Sequence, residues 1–176
     1  LEEIERLGLN ITKIVNTHAH IDHAAGVEKA KRELGAKFYL HPKEEPVLLA
    51  LPESALRFPE FGHVDVPEID VYVEEGDSIE FGGYTAKVIH TPGHTYGSIC
   101  LLVDESVFSG DTLFAGSVGR VDLTGGTSMR ELIRSIKTKL MILPSHYKVY
   151  PGHGPFTTIG TERRSNPFIA GGIVLF

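Results

Sequence analysis

Four side chains that bind metal ions in many proteins lie within six positions near the start of the chain. The cluster consists of His18, His20, Asp22 and His23, and it follows directly on the strand-like stretch 11–17. Imidazole and carboxylate groups are the usual ligands of catalytic zinc and related divalent ions. Burying such a cluster would be costly without an ion that neutralises the carboxylate and orients the rings. The spacing therefore predicts a metal site.

Three more residues of the same types lie far along the chain in a shared context. His94 in "TPGHTYGS", Asp111 in "FSGDTLF" and His153 in "YPGHGPF" each follow a β-like run and lie beside glycine. Because strand ends meet at one edge of a sheet, we expect these side chains to converge. With the first cluster they total five imidazoles and two carboxylates. That number is too large for one tetrahedral ion and suits two ions with a bridging carboxylate.

Other roles are open for some of these residues. Asp22 could instead cap the helix that begins after it, and Asp111 could be a turn residue. A histidine outside a cluster is usually a surface or core residue. The histidines to which we assign structural roles are His41, His63, His90 and His146.

Helix and strand patterns alternate along the chain, with a capping box "SMRE" before one helix. Residues 52–70 contain several prolines and no sustained period, and we interpret them as a long loop that could cover a site. This mixture predicts a layered α/β fold. The predicted helices are 1–9, 24–35, 42–51, 128–140 and part of 157–168, and the predicted strands are 11–17, 37–41, 71–75, 78–82, 84–91, 98–105, 107–111 and a segment starting at 147.

Composition narrows the classes of partner and the compartment. A length of 176 residues suits one domain, so we predict a single domain over 1–176. The net charge of −6 and the absence of a basic run argue against nucleic acid. No apolar run approaches the ~20 residues that cross a bilayer. The single cysteine, Cys100, fits a reducing compartment, so we expect a cytoplasmic protein with no membrane partner.

The motifs resemble those of one known family in type and order. "THAHIDH" resembles the H-x-H-x-D-H signature of the metallo-β-lactamase superfamily, and "TPGHTYGS", "FSGDTLFAGSVGR" and "VYPGHGPFTTIGTERRSNPF" resemble its later motifs. The resemblance extends from Ile11 to Phe168. It implies a four-layer αββα sandwich. It also implies ligands for two metal ions: His18, His20 and His94 for the first, Asp22, His23 and His153 for the second, and Asp111 bridging them.

Within this superfamily the chain looks most like the short bacterial glyoxalase II-like enzymes. They hydrolyse thioesters such as S-lactoylglutathione to an acid and a thiol, so the implied partner is a small-molecule thioester. The resemblance implies attack on the thioester carbonyl by a hydroxide between the ions, with Asp22 and Asp111 as catalytic residues. Zinc is the first expectation, and iron and manganese also suit the ligands. Residues expected to line the substrate pocket are Tyr96, Phe114 and Arg120.

The sequence departs from the family pattern at both ends. We expect the N-terminal edge strands of the sandwich and the C-terminal helical domain of larger glyoxalase II enzymes to be missing. A sheet without its outer strands exposes unpaired backbone and apolar surface, which predicts either poor solubility or strand pairing between chains in a homo-oligomer. Tyr96 also stands where proline is common in the family.

Three other functions compete with thioester hydrolysis. A mononuclear iron oxygenase that resembles the persulfide dioxygenases would use His18, His94 and Asp111 and leave the second site empty. A β-lactam or lactone hydrolase would keep both ions and differ in its pocket. A non-catalytic domain would use the same ligands only for folding, and would need a coordination shell without an open position.

Overall fold

The chain forms two compact units, Leu1–Val73 and a second unit that begins at Glu74. These units are seen in a computed structural model that describes residues 1–171. Both units combine helices with a sheet, as the alternating patterns predict. The single domain over 1–176 stays a prediction.

A three-stranded parallel sheet organises the first unit, in the order β1-β2-β3. Phe38 and Leu40 alternate with more exposed residues along the middle strand and are fully buried. They pack with Leu48 and Leu51 from the helices that follow. The elements are α1 (Glu2–Arg6), β1 (Lys13–Val15), α2 (Ile21–Ala24), α3 (Val27–Leu34), β2 (Lys37–Leu40), α4 (Glu45–Leu49), α5 (Leu51–Arg57) and β3 (Val71–Tyr72), with 3-10 turns at Pro42–Glu44 and Pro59–Phe61.

A six-stranded mixed sheet organises the second unit, in the order β11-β10-β7-β6-β5-β4. In its core, Val107 and Val149 of the sheet pack with Leu132 of the helix α6 and with Ile136 in the π-helical segment that follows it. A separate two-stranded hairpin, β8–β9, follows the sheet strand β7. The elements are β4 (Ser78–Phe81), β5 (Tyr84–His90), β6 (Ile99–Val103), β7 (Ser106–Gly110), β8 (Leu113–Phe114), β9 (Ser117–Val118), α6 (Met129–Ser135), β10 (Lys148–Pro151), β11 (Thr157–Thr158) and α7 (Ile159–Ser165), with a π-turn at Ile136–Leu140.

Local sequence signals explain where several helices begin and end. The Ser128 hydroxyl accepts a hydrogen bond from the Glu131 N–H at 3.2 Å, which confirms the predicted cap of α6. Gly35 ends α3 with φ at +64°, a conformation that costs glycine little. The Thr158 hydroxyl accepts from the Thr161 N–H and starts α7.

Besides shifts at the ends of elements, the structure contains several elements that were not predicted. Helix α2 lies where a loop was predicted, and β11 was not predicted. Residues 52–70 are not one long loop, because α5 occupies the first part with Pro52 in its opening turn, where proline needs no N–H partner. The β8–β9 hairpin was not predicted, since each strand has only two residues and shows no alternation.

No helix in residues 1–171 is both long and apolar enough to cross a membrane.

The single cysteine is buried in the second unit. Burial raises the pKa of the Cys100 thiol to about 11, despite hydrogen bonds from Thr91 and Thr112 that lower it. Cys100 is therefore protonated at neutral pH and is not a candidate nucleophile.

One carboxylate ties β2 of the first unit to the loop before β3. Asp70 Oδ2 accepts hydrogen bonds from the Phe38 N–H and from Lys31 Nζ, both at 2.7 Å. The Lys31 ammonium and then the Phe38 N–H lower the pKa of Asp70 below its ordinary value. Ionised Asp70 therefore stabilises the folded state above about pH 4, and this contribution disappears as the pH falls through the lowered pKa.

Replacing Asp70 by asparagine should lower the free energy of unfolding at pH 7 by roughly 0.5–1.5 kcal/mol, because it removes the charge that binds Lys31 and the Phe38 N–H. The loss is small because the side chain is partly exposed to water, which weakens the ion pair. Urea unfolding at pH 7 and at pH 3 measures the effect, and the difference from wild type should shrink at the lower pH. The control is Glu53→Gln, which breaks an exposed pair with Arg57 and should cost less. A loss that is equal at both pH values would contradict this account.

Candidate metal-binding site

The first cluster lies in the loop between β1 and α2 of the first unit. The strand ends at Val15, and the side-chain amide of Asn16 donates to the His23 carbonyl oxygen at 3.0 Å, which closes the loop. His20 is the extended residue before α2, with φ −62° and ψ 155°. This turn of the backbone places Asp22 and His23 in the helix itself.

The side chains of this loop lie in contact with one another. The ring centroids of His18 and His20 are 4.9 Å apart with the planes nearly perpendicular, and those of His18 and His23 are 4.1 Å apart. His23 Nε2 lies 3.5 Å from Asp22 Oδ2. His18 is 1% exposed. The structure therefore brings together all four residues that the first motif predicts.

A buried glutamate supports the backbone of this loop. Glu44 is fully buried, and its Oε2 accepts a hydrogen bond from the Ala19 N–H at 2.8 Å. Ala19 separates His18 from His20 in the sequence, so this bond fixes the peptide between two predicted ligands. This role of Glu44 could not be predicted, because Glu44 and its neighbour Glu45 look alike in the run "KEEP".

Replacing Glu44 by alanine should lower the free energy of unfolding by about 2–3 kcal/mol, because the Ala19 N–H would be left buried without its acceptor. Glu45→Ala is the matched control, since Glu45 is the exposed neighbour in the same turn and should cost less than about 1 kcal/mol. Urea unfolding of metal-free protein measures both. Equal losses for the two variants would show that the bond to Ala19 does not stabilise the loop.

The second cluster begins with His94, after β5 in the second unit. His94 Nδ1 lies 2.7 Å from the Arg120 carbonyl oxygen, and its side chain is 2% exposed. Because a carbonyl only accepts, Nδ1 carries the proton and a neutral ring leaves a lone pair on Nε2. Metal-binding histidines commonly show this arrangement.

Asp111 lies between two histidines of the second unit. Its Oδ2 is 3.7 Å from His94 Nε2 and 3.6 Å from His153 Nε2. Both separations exceed a hydrogen bond, and both involve the nitrogen that can bind a metal. The structure therefore brings together the three late residues that the strand-end argument predicts.

Two glycines allow the backbone to pack closely around His94. A Cβ at Gly119 would lie 1.9 Å from the Asp111 carbonyl oxygen and 3.2 Å from His94 Nδ1. A Cβ at Gly93 would lie 2.4 Å from the Cα of Leu132 in α6. No side chain fits at either position without movement of the backbone. Both glycines lie within the motifs quoted above, where the spacing of the ligands alone does not explain them.

The predicted pocket residues occupy different surroundings. The Phe114 ring centroid is 6.4 Å from that of His153, so it lies beside a predicted ligand. Arg120 donates two hydrogen bonds of 2.7 Å to Asp122, and this guanidinium lowers the pKa of Asp122 to about 2. Tyr96 is 51% exposed, and its carbonyl oxygen accepts from His90 Nε2 at 2.9 Å.

The four histidines assigned structural roles have local partners. His41 Nδ1 accepts from the Lys43 N–H at 3.2 Å and caps the 3-10 turn. The His90 ring donates to a backbone carbonyl. The exposed rings of the other two lie near carboxylates in the pairs His63–Asp65 and His146–Glu105.

Comparison with known proteins identifies the family. The family model described as "Metallo-beta-lactamase superfamily" matches residues 1–153. The chain belongs to this superfamily. Members of this superfamily bind metal ions and are mostly hydrolases. The imidazole and carboxylate donors of both clusters suit divalent metal ions.

Similar proteins cover almost all of the chain. Hydroxyacylglutathione hydrolase GloC of Haemophilus influenzae is 36% identical over an alignment of 178 positions that covers 96% of this chain and 81% of that protein. The crystal structure of BLEG-1 B3 metallo-β-lactamase matches with a TM-score of 0.87 and 36% identity, over 97% of this chain and 82% of that one. The crystal structure of TTHA1623 in a di-iron-bound form matches with a TM-score of 0.84 and 38% identity, over 95% of this chain and 82% of that one. The predicted α/β class and metallo-β-lactamase fold are confirmed.

Proposed function

We propose that this superfamily member is a dinuclear metal-dependent thioesterase of the glyoxalase II type. The observation that carries the proposal is the second cluster, in which two imidazole Nε2 atoms lie 3.6 and 3.7 Å from one carboxylate oxygen of Asp111. A carboxylate approached by two metal-binding nitrogens, neither within hydrogen-bond distance, suits a bridge between two ions. His94 is already oriented for this role by the Arg120 carbonyl.

The proposed ligand assignment follows the superfamily motifs residue by residue. One ion would be held by three imidazoles, and the other by two imidazoles and a carboxylate. The donor types fit zinc, iron or manganese, and zinc is our first expectation. The proposed ligands are His18, His20 and His94 for one ion, Asp22, His23 and His153 for the other, and Asp111 for both.

The two ions, when bound, would supply an ionised water as nucleophile and positive charge that polarises the thioester carbonyl. The residues of the chain hold and orient the reactants around that chemistry. Asp22, in the first turn of α2 and 39% exposed at its side chain, is open to solvent and can accept a proton from the attacking water. Asp111 keeps its carboxylate between His94 and His153.

The proposed substrate is a small acyl thioester such as S-lactoylglutathione. The name and the 36% identity of the Haemophilus influenzae relative support this choice. Phe114, beside His153, provides an apolar wall for the acyl group, and the exposed Tyr96 and Arg120 provide polar groups near the ligands. We place the reaction in the cytoplasm, because the chain has a single cysteine and that thiol is buried.

A β-lactam hydrolase is the second candidate, favoured by the match to BLEG-1. It would use the same ligands with a different pocket. The third candidate is an iron oxygenase, with one ion held by His18, His94 and Asp111. Both of these candidates can be distinguished from the thioesterase by assays on one protein sample.

Metal content and turnover measured together test these candidates. Purified protein is analysed for zinc, iron and manganese, and the same sample is assayed with S-lactoylglutathione, a β-lactam and a lactone. Two equivalents of metal with release of free thiol support the proposal. One equivalent of iron with oxygen uptake and no thiol release would overturn it, and turnover of the β-lactam alone would move the assignment to the second candidate.

A further inference from the structure

A glutamate in α7, within the last of the motifs quoted above, is buried in the second unit. Glu162 is 1% exposed, and both of its oxygens are used. Oε1 accepts from the Thr157 hydroxyl at 2.6 Å, and Oε2 accepts from the Gly116 N–H at 2.9 Å and the Asn166 amide at 2.8 Å. A buried carboxylate with three donors is a rigid anchor, because loss of any donor leaves charge unsolvated.

Asn166 extends this network toward the same hairpin. It is fully buried, and its amide donates to the Ser117 carbonyl oxygen at 2.9 Å as well as to Glu162. Its own carbonyl oxygen accepts from the Phe168 N–H at 3.0 Å. Gly116 lies in the turn of the β8–β9 hairpin and Ser117 is the first residue of β9, so Glu162 of α7 and Asn166 just after this helix hold the turn end of the hairpin by its backbone.

The hairpin held in this way links two parts of the candidate metal site. It begins just after Asp111 and ends just before Gly119 and Arg120. The Gly119 N–H bonds to the Thr112 carbonyl oxygen at 3.3 Å, which closes the base of the hairpin. The Arg120 carbonyl then orients His94. A shift of the hairpin would therefore move Asp111 and the partner of His94 together.

We propose that Glu162 is a positioning residue for the metal centre: by clamping the β8–β9 turn, it sets Asp111 and the Arg120 carbonyl relative to His94. The inference rests on the proposed function in treating these side chains as metal ligands. It adds a residue that touches neither metal nor substrate. Phe114 lies on the same hairpin, so the clamp also sets one wall of the proposed acyl pocket.

A structural role alone predicts a different outcome from positioning. If Glu162 only stabilised the fold, any break in its network would lower stability in proportion and leave metal affinity unchanged in folded protein. The network offers a matched pair of changes. Thr157→Val removes the donor to Oε1, the oxygen that does not bind the hairpin, whereas Glu162→Ala removes the acceptor of the Gly116 N–H and of the Asn166 amide.

The experiment compares wild type, Glu162→Ala, Thr157→Val and the exposed control Glu131→Ala. Each is purified and stripped of metal, and its thermal midpoint is measured. Zinc affinity is then measured by competition with a chromophoric chelator at a temperature where every variant is folded. Steady-state kinetics with S-lactoylglutathione follow on the zinc-loaded samples. If Glu162→Ala does not fold, Asn166→Ala replaces it, since it removes the bond to the Ser117 carbonyl.

The positioning role predicts a loss of about tenfold or more in zinc affinity for Glu162→Ala, with kcat reduced more than KM is raised. Thr157→Val should lower the thermal midpoint yet keep zinc affinity within about twofold, and Glu131→Ala should match wild type. Zinc affinity unchanged in folded Glu162→Ala, or reduced equally in Thr157→Val, would overturn the proposal. If wild type binds two zinc ions but hydrolyses no thioester, the proposed function fails while the affinity comparison still decides the role of Glu162.

Discussion

Replacing Asp111 by alanine is expected to remove bound metal and hydrolytic activity together. Asp111 Oδ2 faces both His94 Nε2 and His153 Nε2, so it is the one carboxylate proposed to touch both ions. Loss of an outer-shell partner typically costs 10–100-fold in metal affinity or activity. Loss of a bridging ligand should therefore cost more than about 100-fold in kcat/KM.

Elemental analysis and thioester turnover on the same preparation measure this effect. His146→Ala is the control, because His146 lies at the surface near Glu105 and should bind metal and turn over substrate as wild type does. If Asp111→Ala kept two ions and full rate, the dinuclear assignment would be wrong. A comparable loss in His146→Ala would mean that the late ligand is not His153. Circular dichroism of both variants shows whether the fold is retained.

The grouping of the late ligands could be predicted because it depends on a general property of sheets. His94, Asp111 and His153 each follow a run of β-forming residues and lie beside glycine, and strand ends of one sheet share an edge. The structure places β5, β7 and β10 in a single sheet, and the three side chains meet beyond it. The first cluster was easier still, since its four residues are close in sequence.

The residues that support these ligands could not be predicted in the same way. Glu44 reaches Ala19 across 25 positions, and Glu162 reaches Gly116 across 46. In both cases a carboxylate accepts from a backbone N–H, a group that every residue except proline carries, so no residue type marks the partner. Arg120 shows the same limit, because its backbone carbonyl orients His94 while its guanidinium pairs with Asp122. Its place in the substrate pocket stays a prediction.

Gly119 provides the sharpest test of how closely the backbone packs around His94. Gly119→Ala would put a methyl group 1.9 Å from the Asp111 carbonyl oxygen, which is backbone and cannot rotate away. The same methyl would press on His94 Nδ1 at 3.2 Å. Overpacking usually costs 1–3 kcal/mol, and a clash with backbone lies at or above the top of that range. We therefore expect a loss of about 3 kcal/mol or more in the free energy of unfolding.

Gly26→Ala is the matched control for this substitution. Gly26 has φ −90°, a value that alanine also adopts, and no atom lies within 4 Å of the added methyl group. It should therefore unfold within about 1 kcal/mol of wild type. Urea unfolding of the metal-free proteins compares the two changes, and zinc affinity of any folded Gly119→Ala protein should also fall, because Asp111 and the Arg120 carbonyl would be pushed apart. If both alanine variants were equally stable, Gly119 would not limit the approach of the backbone to His94, and the orientation of that ring would need another cause.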